Sequence, residues 1–529
     1  MVGRQFCLMA TICAEEKAGR IGGPPGGALF RSREGRIGSA QRCGKRDRLA
    51  FKEVDHEDRL SKLPDDALIL ILNRLDPKEA VRSSILSRRW RHIPSVLPII
   101  VLDVESFKPN HDDGFKPTVS DTAWSNMALA HAARSVLAHK SHRPIRNLAV
   151  TLYLRAESMA IVRAVDAAMS PGRGRGVAAA KLKFLGEKFV CLCDDRDMAR
   201  NGKRFLSCFN ACPRAFAGLT GLHVESVRLG ESDIYNMLRA CRKLKRLSLT
   251  NCDCGRGTVL ALEHPELTKL KLNICGPVEL KWLPKLTQVK CWCWVPSQSN
   301  DGYPLLFGHV PRLRELLLFN VGYLGYPTLL PSKLLDNCST LREVFLNFGS
   351  ERIWIQPEGP ELLAPLLQNL MILNLENIYE ECDLTWTLFL LQAAPRLKML
   401  QIKVSNHQCV PIQDEMVRQH FICAKGNIEW KVPDFKHHNL ILLDILGFQP
   451  DSKFMGYIRR VMRAAVNLEV ISLNDQLCEC CGFCPTTRYP RTKKERDLIR
   501  KEIHEGITSP VKDVQFHEMS LEGPVKIID

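Results

Sequence analysis

No apolar run in this chain approaches the eighteen or so residues that a membrane-spanning helix needs, so no span is expected. A secretory signal is also missing: the apolar patch from Phe6 to Ala14 is short, and Glu15 and Glu16 follow it without a small-residue cleavage site. An organelle transit peptide would be poor in acid, and Glu15, Glu16, Glu34 and Asp47 argue against one. The glycines from Gly22 to Gly27 lack the Lys-Ser/Thr of a phosphate loop, and no G-x-S-x-G elbow or other strained nucleophile setting occurs. Cysteine, at 21 in 529 residues, is too sparse for a disulfide scaffold and favours a reducing compartment. Aromatics make up 7% and are not interleaved with a basic stretch, which disfavours a nucleic-acid groove even though the net charge is +16. Lys and Arg are scattered along the chain and read mainly as solvated faces.

What is present is ordinary globular composition, 45% hydrophobic and 25% charged, in a chain long enough for two or more domains. Residues 1–57 are Gly-, Arg- and Ser-rich and read as a disordered basic leader. From Leu60 to Asp103 three short helices are predicted. Pro64 is placed at the first position of one, with Asp65 and Asp66 on its positive end and Leu68, Ile69, Ile71, Leu72 and Leu75 at helical spacing. Asp76, Pro77 and Glu79 write the start of the next, from Ala80 to Leu86, and Ser87 caps a third turn carrying Arg88, Arg89, Trp90 and Arg91. So small a unit cannot bury enough surface to stand alone.

Beyond it comes a repeat. Leu219-x-x-Leu222-x-Val224, Leu244-x-x-Leu247-x-Leu249, Leu267-x-x-Leu270-x-Leu272, Leu286-x-x-Val289-x-Cys291, Leu313-x-x-Leu316-x-Leu318, Leu341-x-x-Val344-x-Leu346, Leu370-x-x-Leu373-x-Leu375 and Leu397-x-x-Leu400-x-Ile402 share one template. Their openings fall 19 to 29 residues apart, the spacing of leucine-rich repeats. Pro265, Pro284, Pro311 and Pro395 each stand two places before an opening leucine. Each unit turns its apolar side chains to one face of a short strand, so only a stack buries them, and ten or so coils would build a slab of about 50 Å. Ile145-x-x-Leu148-x-Val150 is read as the first sign of the repeat, beside a strand over Ile99 to Val104 and a helix over Asp121 to His139 carrying Met127, Ala130, Val136 and Leu137. The segments Tyr235 to Cys241 and Leu384 to Ala393 are expected as helices of the opposite layer. The period breaks after Leu397 and returns at Leu440-x-x-Leu443-x-Ile445 and Leu468-x-x-Ile471-x-Leu473, with a basic amphipathic helix over Met455 to Ala465 between them.

Leu63-Pro64-Asp65-Asp66, the Ile71-Leu72-x-x-Leu75 run, Val81, Ser84, Leu86-Ser87 and Arg88 to Arg91 resemble the F-box of plant F-box proteins. His437 to Leu440, Gly447-Phe448 and Ala465 to Val470 are similar to the FBD-type C-terminal region of plant F-box and leucine-rich-repeat proteins. The resemblance implies an α/β chain: an F-box at 58–98, an irregular solenoid at 99–432 with parallel strands on one face and helices on the other, and an FBD-like cap with a basic tail at 433–529. It implies a non-catalytic substrate receptor, the F-box docking on the adaptor of an SCF-type cullin ubiquitin ligase and the repeats holding an unknown protein target. The docking residues it implies are Leu63, Pro64, Asp65, Leu68, Ile71, Leu72, Leu75, Val81, Ser84, Leu86, Ser87 and Trp90. No cofactor and no membrane partner are expected, and the compartment implied is the nucleus and/or cytoplasm. The rival readings are a repeat scaffold without ligase function and a basic nucleic-acid-binding protein.

Four thiols, Cys478, Cys480, Cys481 and Cys484, are the only cysteines dense enough to suggest zinc, but they lie closer together than the paired knuckles of structural sites; His504 and His517 lie downstream. Cys252-x-Cys254 and Cys291-x-Cys293 are read as strand residues, one of each pair inward and one outward. Outward strand positions and loops, for example around Trp292, Trp294, Tyr323 and Tyr326, are where a target would be read, unless these aromatics cover the repeat core.

Overall fold

The structure is a computed structural model that describes residues 63–72, 97–107, 119–138, 144–170, 176–255, 257–295, 301–320, 328–349, 353–380, 382–405, 434–476, 488–507 and 511–518. It divides into two units, Met1–Ile99 and Ile100–Asp529. In the first, the described residues hold one helix, Asp65–Leu72. The carbonyl of Pro64 accepts from the N–H of Leu68 at 3.1 Å, so Pro64 is the cap and Asp65 the first helical residue, one place later than the sequence suggested.

The second unit is built on strands. In chain order they are β1 (Ile99–Asp103), β2 (Ile145–Tyr153), β3 (Val177–Leu185), β4 (Leu219–Arg228), β5 (Arg246–Asp253) and β6 (Leu260–Glu263). Next come β7 (Lys269–Asn273), β8 (Val278–Trp282), β9 (Gln288–Trp292), β10 (Leu305–His309), β11 (Glu315–Phe319) and β12 (Glu343–Asn347). The last are β13 (Ile372–Tyr379), β14 (Met399–Ser405), β15 (Leu442–Leu446), β16 (Val470–Asn474) and β17 (Asp513–His517). Fourteen of them form one sheet in the order β1-β2-β3-β4-β5-β7-β9-β11-β12-β13-β14-β15-β16-β17. The sheet runs without interruption across residue 432, where the sequence had suggested a change of region, because β14 and β15 pair in parallel with Leu400 opposite Leu443.

The register explains the repeat. The middle template position forms one continuous row, Leu222, Leu247, Leu270, Val289, Leu316 and Val344, and continues through Leu373, Leu400, Leu443, Ile471 and Val514. Every member is buried. Each such leucine is buried only because its neighbours in the stack are present, which is why one coil cannot fold without the next. At the N-terminal end the row runs back through Leu182 to Val150. The first repeat therefore lies two residues later than Ile145-x-x-Leu148-x-Val150: Val150 takes the middle position and Leu152 the third. Strand faces recur every two residues, so such a shift leaves the apolar pattern intact and the sequence alone did not reveal it. The coil of β3 was missed altogether, since its opening is Val177-Ala178-Ala179-Ala180 rather than leucine.

Helices pack side by side over the buried face, among them Ser158–Ala168, Asp195–Ala211, Glu231–Ala240, Pro360–Leu367, Leu388–Ala393 and Ser452–Ala464. The two expected from apolar spacing, at Tyr235 to Cys241 and Leu384 to Ala393, are there as Glu231–Ala240 and as a 3-10 turn (Thr385–Thr387) running into Leu388–Ala393. Between β5 and β11 the second layer is instead a three-stranded parallel sheet, β10-β8-β6. The coil from Leu267 to Leu286 is too short to hold a helix and two turns, and extended backbone crosses the same width with fewer residues. The helix Val119–Ala138 buries Leu129, Ala130, Ala133 and Leu137, whereas Met127, expected on that face, is 58% exposed. Asn126 takes part in the burial by acting as a backbone surrogate: its Nδ2 donates to the Tyr153 carbonyl at 2.7 Å and its Oδ1 accepts from the Tyr153 N–H at 3.0 Å.

Five coils bend at one equivalent position: Ser226, Asn251, Ile274, Cys293 and Asn377 all have φ near +50°, inside β4, β5 and β13 and just past β7 and β9. The left-handed residue throws the next side chain inward, so Cys252 and Cys275 are buried, and the Cys252 Sγ–H reaches back to the Val224 carbonyl at 3.4 Å. Cys291 and Cys293 are both buried, which corrects the inward–outward reading of that pair. Residues two apart share a strand face, and Cys293 is itself the left-handed residue. Burial pushes the thiols of Cys252, Cys275 and Cys291 up, leaving them protonated and inert.

Candidate functional site

The docking segment is described only in part. Leu63 is half-buried and Pro64 exposed ahead of the helix, Leu68 is wholly buried, and Ile71 is exposed. Leu70, not among the docking residues expected from the sequence, is 67% exposed, the most of the described apolar side chains in this helix. Its position one residue from Ile71 was the available signal. The helices Asp65–Leu72 places Asp65 and Leu72 within its span, while Leu75, Val81, Ser84, Leu86, Ser87 and Trp90 lie outside the described residues.

The second candidate is the outward face of the large sheet. Flanking the buried rows are outward rows whose members the register fixes. One runs Lys181, Gly221, Arg246, Lys269, Gln288, Glu315, Glu343. The next runs Lys183, His223, Ser248, Lys271, Lys290, Leu317, Phe345. The face is thus zoned: from β3 to β9 these rows hold six cations and no carboxylate, and β11 and β12 then supply Leu317 and Phe345 beside Glu315 and Glu343. Lys271 lies over the ring of Trp292 at 4.0 Å. Gln288 donates to Glu315 at 2.6 Å, and Glu343 is held above the usual carboxylate range by burial and then by Glu315.

Of the other aromatics singled out, Trp294 is buried and meets Trp354 edge-on at a centroid distance of 5.0 Å, so it covers core; Tyr323 and Tyr326 lie outside the described residues. The cysteines at 478, 480, 481 and 484 lie outside them as well. His504 is committed through Nδ1 to the Arg500 carbonyl at 2.8 Å, and among the described residues no group of three or more His, Cys, Asp or Glu could hold a metal. No helix among the described residues is long and apolar enough to cross a membrane.

The remaining titratable groups are structural. Two buried histidines occupy the same kind of place, the entrance to a strand. His264 accepts the Glu266 N–H at Nδ1 (3.1 Å) and donates from Nε2 to the Cys241 carbonyl (3.0 Å); His437 accepts the Leu440 N–H (3.0 Å) and donates to the Ala394 carbonyl (2.9 Å). Each ring ties a strand to the preceding helix end as a neutral tautomer, and burial pulls both pKa values below the ordinary range. Arg491 pairs with the buried Asp475 at 2.9 Å, and Arg459 donates to the Glu505 carbonyl, so these basic residues brace the C-terminal coils.

Comparison with known proteins bears on both candidates. Residues 60–100 match the family model of the F-box domain, and residues 207–505 match that of the At1g61320/AtMIF1 LRR domain. Three relatives from Arabidopsis thaliana show the range: the chain is 46% identical to the FBD-associated F-box protein At1g60410 over 66 residues, 12% of this chain and 16% of that protein. It is 27% identical to the putative F-box/LRR-repeat protein At3g58880 over 67% of this chain and 79% of that one. To the F-box/FBD/LRR-repeat protein At1g13570 it is 23% identical over 84% of this chain and 98% of the relative.

Proposed function

The chain belongs to the At1g61320/AtMIF1 leucine-rich-repeat family, whose model spans more than half of it, and carries an F-box ahead of the repeats; from that premise we propose that it is the target-recruiting subunit of an SCF-type cullin ubiquitin ligase. The observation that carries the proposal is the pairing of an F-box match at 60–100 with a continuous sheet of fourteen strands among the described residues, parallel from β2 to β17. The F-box supports contact with the ligase adaptor, and the sheet supports a long surface for a protein target. The work divides within the docking segment: Leu68 holds the helix by burial, while Pro64, Leu70 and Ile71 present the surface the adaptor would cover.

No step of chemistry is required of this chain. A receptor raises the local concentration of target lysines near the charged conjugating enzyme, and proximity of this kind is worth orders of magnitude in rate without an active-site residue. Neutral, tied histidines and protonated buried thiols are in keeping with that role. The nucleus and/or cytoplasm, where such ligases act, is the compartment we assign with this role.

The test is assembly: the full chain is co-expressed with the SCF adaptor and cullin and captured by a tag on the chain. The proposal expects the cullin to be retained only when the adaptor is present. A folded chain that retains neither would leave a repeat scaffold without ligase function as the better account.

A further inference from the structure

The basic zone of the outward sheet face has a feature that folding does not explain. On adjacent parallel strands Arg246 stands directly opposite Lys269, and Lys271 directly opposite Lys290. Neighbouring strands lie about 4.8 Å apart, and like charges directly across a strand pair destabilise the sheet. Among the described residues no ion pair involves Lys181, Lys183, Arg246, Lys269 or Lys290. Of the acidic residues around the zone, Asp253 is bonded to Arg228 at 2.5 Å, Glu263 to Lys281 at 2.6 Å and Glu266 to Lys285 at 2.6 Å, and Glu225 of β4 stands half-buried one outward position beyond the two rows. Five of the six cations in the stripe that these rows form thus stand outside any ion pair among the described residues, with Arg246 directly against Lys269, at a cost to the fold.

Resting on the receptor reading, we propose that this stripe is where the target is read, and that it takes a short acidic segment of a protein, glutamates and aspartates leading into apolar residues. Three observations select that chemistry. The cations occupy rows from β3 to β9, four strand spacings or about 19 Å, the length of about six residues of extended peptide. Leu317 and Phe345 follow in the same row, half-buried, where the apolar end of the segment would lie. Glu315 and Glu343 then close the zone, and these carboxylates would repel a polyanion that continued past it, which argues against a nucleic acid.

The probe is a fluorescein-labelled peptide of six glutamates followed by Leu-Phe, titrated against the full chain by anisotropy at low salt. A lysine peptide of the same length and a single-stranded DNA of equal charge serve as controls. The proposal expects saturable binding of the acidic peptide alone, weakened by salt, and weakened about tenfold by Lys269→Glu and by Lys290→Glu. Because Lys269→Glu places a carboxylate beside Arg246, it should melt no lower than the wild type; Lys269→Gln, which only removes the charge, is the second variant should the reversal not fold. No saturable binding by folded wild type, or unchanged binding by the variants, overturns the proposal. Tighter binding of the DNA overturns it in favour of nucleic acid. Retention of the adaptor by Lys269→Glu is measured in parallel, so loss of this site and failure of the receptor reading give different results.

Discussion

Acid should unfold this solenoid through two histidines. In His264 and His437 the Nδ1 atom is an acceptor for a backbone N–H, so a proton there turns an attraction into a clash of two donors, inside a buried site. Burial is the largest cause of the lowered pKa in both, and the carbonyl at Nε2 opposes it only in part. The sign follows by linkage. Unfolded, each ring titrates near 6.5; folded, it titrates lower, so the unfolded chain binds more protons in between and stability is full above 6.5 and falls as pH drops below it. Each histidine contributes a slope of up to about 1.4 kcal/mol per pH unit, and the two together about 2.7 kcal/mol, until the folded pKa is passed. The assay is urea unfolding of the full chain at a series of pH values from neutral to acid, for wild type and for the double variant His264→Gln, His437→Gln. The variant should be less stable at neutral pH, by roughly 1–3 kcal/mol per site for the backbone groups left unpaired, yet show a flatter pH profile. A double variant with the wild-type slope would refute the reasoning, as would imidazole resonances that titrate at the ordinary value in the folded protein.

Two further substitutions probe how the layers are joined. Asn126→Ala strips the Tyr153 N–H of its partner and leaves the Tyr153 carbonyl only the Ser158 hydroxyl, which donates to it at 2.8 Å; it should cost about 1–3 kcal/mol, read as a fall in urea midpoint, and an unchanged midpoint would show that the pairing is dispensable. Gly202 lies where the helix Asp195–Ala211 crosses β4, and an added Cβ would meet the Arg228 carbonyl oxygen, so Gly202→Ala should cost about 1–3 kcal/mol and lower the melting temperature, whereas the same change at the open Gly456 should not.

The pattern of what could be read in advance is physical. Leu222, Leu247 and Leu270 announced themselves because each lies at the same template position and each is buried for the same reason. The first coil was read two residues early because alternate strand residues share a face, so Leu148 and Val150 fit the template as well as Val150 and Leu152 do. The coil of β3 escaped because alanines open it, and the second sheet escaped because strands of four or five residues leave too little periodicity to see. Pro64 as cap rather than first helical residue is a difference of one place, within the usual ambiguity of helix ends. The charged zone could not be read at all: Lys181, Arg246 and Lys269 are far apart in sequence, and only the register of the sheet sets them side by side.

The central claim is that the F-box segment grips a ligase adaptor. The most direct measurement is the affinity of the purified full chain for the SCF adaptor by calorimetry, wild type beside the double variant Leu63→Ala, Pro64→Ala, with equal melting temperatures as the control for folding. Saturable binding that the double variant loses is the predicted result. A folded wild-type chain that does not bind, or a double variant that binds as tightly as wild type, would contradict it.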